Sequence, residues 1–213
     1  MKLNAAKCKA MQISFLRTNP PPLQLRIDDT DLEIMTSIRL LGVIIQDDLR
    51  WDLHVRQIIS NASRRLFILN KLKRNGVMRP ELVTIYKMYI RPLIEFAVPV
   101  WASSITCQQS SSIERVQKRA LRIIAWPNVL PYIELLKTMN VSSLKDRRSE
   151  LVEGFARSLL KSKRHRHFLP ETRRVRTGLS LRNAHHLEIP RTRTKRYQQS
   201  PIPHFVQLLN SAM

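Results

Sequence analysis

The sequence predicts an α+β fold that is predominantly α, with a remnant of sheet in front, helices behind it and a basic tail. Three observations lead there. Up to residue 50 the apolar residues fall in short runs, several alternating, broken by Pro and Asp. From Asp52 to Leu160 they recur at helical spacing. After Leu160 cations dominate and the periodicity fades. The 213 residues suffice for a sizeable apolar core and for one or two domains. Four parts are expected: 1–50, 51–126, 127–160 and 161–213.

In the first part, Asn4 to Lys7 reads as a short turn and residues 11–15 as a strand. Asn19 and the triplet Pro20-Pro21-Pro22 break it. Leu23, Leu25 and Ile27 alternate with Gln24 and Arg26, the pattern of a half-buried strand. Asp28-Asp29-Thr30-Asp31 is turn chemistry, and Leu32 and Ile34 begin the return. The run Leu40-Leu41-Gly42-Val43-Ile44-Ile45 reads as a further strand. A glycine inside a strand lets another backbone come close, so Leu41 and Gly42 are the expected meeting point with a ligand or partner strand.

Asp52 is a fitting N-cap for the first long helix, whose apolar positions run from Val55 through Leu72. Arg64, Arg65, Lys71, Lys73 and Arg74 crowd its end, where cations complement the dipole, and Asn75-Gly76 terminates it. Pro80 opens the next helix. Its stripe is Leu82, Ile85, Tyr86, Tyr89, Ile90 and Leu93, with a kink or stop expected near Met88 to Tyr89 because of Pro92. Ser111 and Glu114 form a capping box for a third helix, with Ile113, Val116, Ala120, Ile123 and Ile124 inward. Lys118, Arg119 and Arg122 sit opposite, and Trp126-Pro127 stops it. Pro131 starts a short helix. Ser143 and Asp146 cap a longer one with Leu144, Leu151, Phe155 and Leu159 inward. Beyond it Lys161, Lys163, Arg164, Arg166, Arg173, Arg174 and Arg176 face a single acid, Glu171, in an expected mobile basic segment. A short helix closes the chain near residues 201–210.

The net charge of +21 repels itself unless a polyanion is near, so nucleic acid is the leading partner and an anionic membrane surface the weaker one. No stretch has the length of a spanning helix, and no secretory apolar core follows Met1. Cys8 and Cys107 sit in no CxxC or CxxH pair, which fits a reducing intracellular compartment, nuclear or cytoplasmic. Metal binding by His165, His167, His185 or His186 is not expected, since neither cysteine pairs nor a helix with histidines four apart accompany them. Asp47-Asp48 and Asp28-Asp29 imitate a metal site but read as turns: no aromatic lies two before Asp47, and a helix follows. His54 is expected to pack at the start of the first long helix, and Trp51, Trp101 and Trp126 to pack against helices rather than stack on bases.

An ordered series of motifs runs along almost the whole chain: Leu3-Asn4-x-x-Lys7-Cys8-x-x-Met11-x-Ile13; Leu41-Gly42-Val43-x-Ile45; Trp51-x-x-His54; Ile85-Tyr86-x-x-Tyr89-Ile90-Arg91-Pro92-Leu93-Ile94-Glu95-Phe96-Ala97; Pro99-Val100-Trp101; and Ile113-Glu114-x-Val116-Gln117-Lys118-Arg119-Ala120-Leu121-Arg122-Ile123-Ile124. Leu144-x-x-Arg147-Arg148 and Ile202-Pro203 to Leu209-Asn210 continue it. The series resembles the distal half of a reverse transcriptase, an RNA-directed DNA polymerase, from non-LTR retrotransposons of the jockey type. The resemblance implies a remnant of the palm sheet, then a thumb-like helical bundle. It implies that Lys7 matches a palm lysine near the incoming nucleotide, and that Leu41 and Gly42 match the primer grip, a hairpin holding the primer end. It implies RNA, DNA or an RNA–DNA hybrid as partner, and no membrane. In the intact family two Mg2+ ions, held by aspartates of two earlier palm motifs, run the phosphoryl chemistry. Neither motif occurs in these residues, so no cofactor and no catalytic residue is expected here, Lys7 being at most supporting. Met1 then reads as an internal methionine of a truncated polymerase. The alternatives are a transposon remnant with no binding role, its front strands left without partners, and a stand-alone basic nucleic-acid-binding protein. The run at 161–176 is compatible with a disordered tail, a localisation signal or a nucleic-acid arm.

Overall fold

The structure, a computed structural model, describes residues 4–15, 21, 23–128, 130–178 and 182–212, with the backbone alone at 6, 176 and 177. Leu3, Asn19, Pro20 and Pro22 lie outside the described residues. The chain is mainly helical with a few small strands, an α+β chain that is mostly α. It divides into two compact units, Met1–Gln57 and Ile58–Met213, with the boundary inside the first long helix.

In the first unit the strands form three separate ribbons. β1 (Lys9–Ala10) runs parallel to β4 (Glu33–Ile34), and Lys9 pairs with Glu33 across them at 3.1 Å. β2 (Arg26–Ile27) and β3 (Thr30–Asp31) make a tight hairpin around Asp28-Asp29, with Asp28 at φ +51°. β5 (Ser37–Leu40) and β6 (Val43–Gln46) make another, in register Leu40 to Val43. The expected strand at 11–15 is not one, and Ile13 and Phe15 are exposed. Alternation marks an apolar face, but a strand also needs a neighbour's N–H and C=O groups, and among the described residues no ladder reaches 11–15.

The run at 40–45 is likewise not one strand. Leu41 and Gly42 are the loop of the β5–β6 hairpin, with φ +47° and +88°. Two left-handed residues in a two-residue loop match the right-handed twist of the flanking strands. Leu41 is 89% exposed at the tip. The β6 end is tied to the helix that follows, α1 (Asp52–Arg74). Gln46 Oε1 accepts the Leu53 N–H at 2.9 Å, and the Nδ1 of buried His54 accepts the Ile44 N–H at 3.4 Å, with the Trp51 ring edge-on.

In the second unit α1 ends as expected at Gly76, φ +84°: Gly76 N–H reaches the Lys73 carbonyl and Val77 N–H the Leu72 carbonyl, the paired bonds of a Schellman end. Pro80 lies in the first turn of α2 (Arg79–Ile85). Pro92 does not break the helix. A wide π turn at Tyr86–Ile90 leads into α3 (Arg91–Glu95), and Arg91 N–H bonds the Tyr86 carbonyl five residues back. A helix repeats every 3.6 residues; the wide turn stretches the repeat to four. Leu82, Tyr86, Ile90 and Ile94 are therefore all buried, while Tyr89, expected inside, lies at the surface.

After α4 (Val98–Trp101) comes α5 (Cys107–Ala125). Its capping box is Thr106 with Gln109, not Ser111 with Glu114: Thr106 Oγ1 accepts the Gln109 N–H at 3.1 Å and Gln109 Oε1 the Thr106 N–H at 2.8 Å. Glu114 instead accepts from the Tyr132 hydroxyl and, at 3.1 Å, from the Leu144 N–H. It thereby joins α6 (Tyr132–Thr138) to the start of α7 (Leu144–Lys161), whose N-cap is Ser143 as expected. Buried Gln117 completes the centre. Its Oε1 accepts from Tyr86 at 2.5 Å, and its Nε2 donates to the Tyr132 oxygen at 3.0 Å and the Ser142 carbonyl at 2.9 Å.

Beyond α7 the chain folds back, and the short helix expected near 201–210 is present. α8 (Arg173–Thr177) and α9 (Lys195–Gln198) precede α10 (Pro201–Ser211), which packs on α7 and α4. Leu169, Leu187, Phe205, Val206 and Leu209 are buried. Asn210 grips Leu187 from both sides, accepting its N–H and donating to its carbonyl, each at 2.9 Å. Residues 58–213 cluster as one compact unit.

Asn210→Ala leaves both backbone groups of buried Leu187 without these partners and is expected to cost about 1–3 kcal/mol, measured by chemical denaturation. Burial lowers the His54 pKa from its ordinary 6.5. The unfolded chain then takes up a proton first, so this contribution is full above about 6.5 and is lost as pH falls below it. His204, lowered by burial too, acts with the same sign. In His54→Gln the fall in denaturation midpoint between about pH 7.5 and pH 5.5 is expected to shrink without vanishing.

Candidate nucleic-acid interface

The cations sort into those drawn into the fold and those left outward. On α1, Arg65 folds back onto the protein surface: its guanidinium lies 4.0 Å from the Tyr89 ring centre and donates to the Tyr89 carbonyl at 2.5 Å. On α5, Lys118 lies half-buried over the Tyr132 ring at 5.0 Å. Past α7, Arg166 donates to the carbonyls of Leu169 at 3.2 Å and Pro170 at 3.0 Å. These three expected phosphate contacts therefore hold the protein itself together. Long cationic stems bury well against aromatic rings and carbonyls, and sequence spacing does not show which will.

Arg64, Lys71 and Arg74 remain exposed on α1. Their spacing of seven and three residues puts them on one stripe with Phe67 and Ile68, and Phe67 is 71% exposed. On α5 the exposed stripe is Arg115, Arg119, Arg122 and Trp126, at steps of four, three and four. The two stripes meet at their C-terminal ends, where Lys73 Nζ stands over the Trp126 ring at 5.7 Å. Arg79, at the start of α2, donates to the Ala125 carbonyl at 3.2 Å. Partial desolvation, then the nearby charges of Arg79 and Arg74, lower the Lys73 pKa from its ordinary value. Sequence reading missed Arg79 and Arg115 and left Trp126 to packing; the helical step back from Arg119 to Arg115 was the available signal. Among the described residues none of these outward cations forms an ion pair with an acid.

Lys161, Lys163, Arg164 and Arg174 are exposed on other elements, Arg173 is half-buried, and the side chain of Arg176 lies outside the described residues. Lys7 is exposed at the end of a short 3₁₀ turn, Ala5–Lys7.

Carboxylates are arranged differently. Asp48 accepts the Arg50 N–H at 2.9 Å and pairs with its guanidinium at 3.4 Å, closing the turn before α1. That geometry does not fit the metal pair implied by the resemblance, nor does the Asp28-Asp29 hairpin turn. Among the described residues no three His, Cys, Asp or Glu side chains gather as metal ligands, and no helix is long and apolar enough to cross a membrane. Comparison with protein-family models, with curated proteins and with solved structures returns no match.

The division between folded-back and outward cations is measurable. Arg65→Ala is expected to lower stability by about 1–2 kcal/mol through loss of the ring contact and the carbonyl bond. Arg64→Ala, one residue away but outward, should stay within about 0.5 kcal/mol of wild type in the same denaturation experiment.

Proposed function

We propose that this chain is the distal part of a jockey-type non-LTR retrotransposon reverse transcriptase, a palm remnant and thumb-like bundle that grips nucleic acid without carrying the metal-binding carboxylates. The observation that carries the binding reading is the pair of outward basic stripes on α1 and α5, joined at Trp126 and free of ion pairs to acids among the described residues. Cations left without internal partners are those able to displace counterions from a phosphate backbone. Support for the family reading comes from the ordered motif series and from the β5–β6 hairpin, since the matching element is a hairpin in the family. The exposed Ile13, Phe15, Leu23 and Leu25 fit a palm face that other strands would cover. The same apolar residues favour a second reading, a chain that self-associates and binds nothing else.

In the first reading the ligand is RNA, DNA or their hybrid, held by phosphate with little sequence preference, and the compartment is nuclear or cytoplasmic. Mg2+ would serve the intact polymerase; no step of that chemistry is assigned to residues of this chain.

Filter-binding titration against duplex DNA and an RNA–DNA hybrid tests the proposal. With about four phosphate contacts, affinity should fall roughly a hundredfold between about 50 and about 200 mM salt. Arg119→Glu with Arg122→Glu should weaken binding alike for all sequences and flatten the salt slope by roughly two. Affinity that ignores salt would sink the phosphate reading, and concentration-dependent sedimentation without nucleic-acid binding would favour the second.

A further inference from the structure

The chain carries three tryptophans in three settings. Trp101 is buried and Trp51 half-buried, whereas Trp126 is 63% exposed just past the C-terminal end of α5. A large exposed indole contributes little to the core, and cations gather at this end of α5. Lys73 stands 5.7 Å from its centre, near the outer limit of a cation–π contact at about 6 Å. Arg79 is anchored one residue away on the Ala125 carbonyl, where its charge offsets the negative end of the α5 dipole. Arg74 is close enough to Lys73 to disfavour its charged form, as Arg79 also does. Three cations held together with no acid paired to them are stabilised by an anion.

We propose that Trp126, Lys73, Arg74 and Arg79 form a site for an unpaired nucleotide of single-stranded nucleic acid: the indole stacks on the base and the three cations hold its flanking phosphates. This rests on the nucleic-acid reading above and deepens it. The outward stripes of α1 and α5 meet a duplex chiefly through charge, since its bases are stacked on one another. The indole adds a surface that only a splayed or terminal base can reach. The site therefore discriminates strand state rather than sequence, because every base presents a π face.

The test compares an oligothymidylate with a blunt duplex of equal length at one salt concentration. The single strand is expected to quench tryptophan emission by stacking and to shield it strongly from acrylamide; the blunt duplex is expected to cause no stacking quench and less shielding. Trp126→Ala should weaken single-strand binding about tenfold and duplex binding by much less, with Trp126→Phe recovering most of the single-strand loss. Circular dichroism and thermal unfolding report whether each variant is folded; if Trp126→Ala is not, the acrylamide shielding of the wild type decides. Duplex binding with no single-strand shielding, or equal loss on both ligands in a folded Trp126→Ala, overturns this proposal alone. Failure of the wild type to bind either ligand overturns it together with the function proposed above.

Discussion

The amide of Gln117 has to be satisfied on every side, and the helical unit is arranged so that it is. A carboxamide buried among apolar side chains is tolerated only when its donors and its acceptor all find partners. Here the three partners come from three places: Tyr86 from the wide turn, Tyr132 from α6 and Ser142 from the segment leading into α7. Moving any one of these elements would orphan a polar atom. Burial raises the pKa values of both tyrosines, which keeps their hydroxyls protonated as donors. Tyr132 passes its proton toward Glu114, which also holds the first N–H of α7, where the helix dipole favours a negative charge. One turn on, Arg147 grips Glu95 through two nitrogens, at 3.0 and 3.4 Å, with Arg91 on the same carboxylate. Two acids from other elements thus pin the beginning of α7.

Rigidity of that kind matters for the surface. An excess of cations is a liability for a folded chain through self-repulsion. The bundle reduces the liability by folding some back onto its own rings, as with Arg65 on Tyr89 and Lys118 on Tyr132. Those that remain outward sit on two long helices, so their mutual spacing is set before any ligand arrives. Less side-chain and backbone freedom is then lost on binding than a flexible basic tail would lose.

Much of the helical part was legible in the sequence: the start of α1 within one residue of the expected cap at Asp52, its end at Gly76, Pro80 in the first turn of α2 and the Ser143 cap of α7 all depend on local chemistry. What misled was information that is not local. Tyr89 left the core because a wide turn changed the repeat, and a 3.6-residue template cannot register that. Ser111 and Glu114 have capping-box spacing, yet the helix begins a turn earlier and Glu114 serves Tyr132 and Leu144 instead. With few glycines, left-handed turns fell on Asp28, Leu41, Leu49, Ala97 and Asn140, so the hairpin tip at Leu41 looked like the middle of a strand. The basic stripes were half legible. Charge and spacing marked Arg119 and Arg122, but the contact joining Lys73 to Trp126 is tertiary and left no mark on either stretch.

The closing helix has a consequence for how the protein is made. α10 covers α7 and α4, and Asn210, near its end, supplies the bonds that fasten the buried Leu187 backbone. α10 follows α4 and α7 in the chain, so during synthesis the apolar faces it is destined to cover emerge first and stay open to solvent until it docks. A nascent-chain chaperone would find its binding surface on the uncovered sides of α4 and α7.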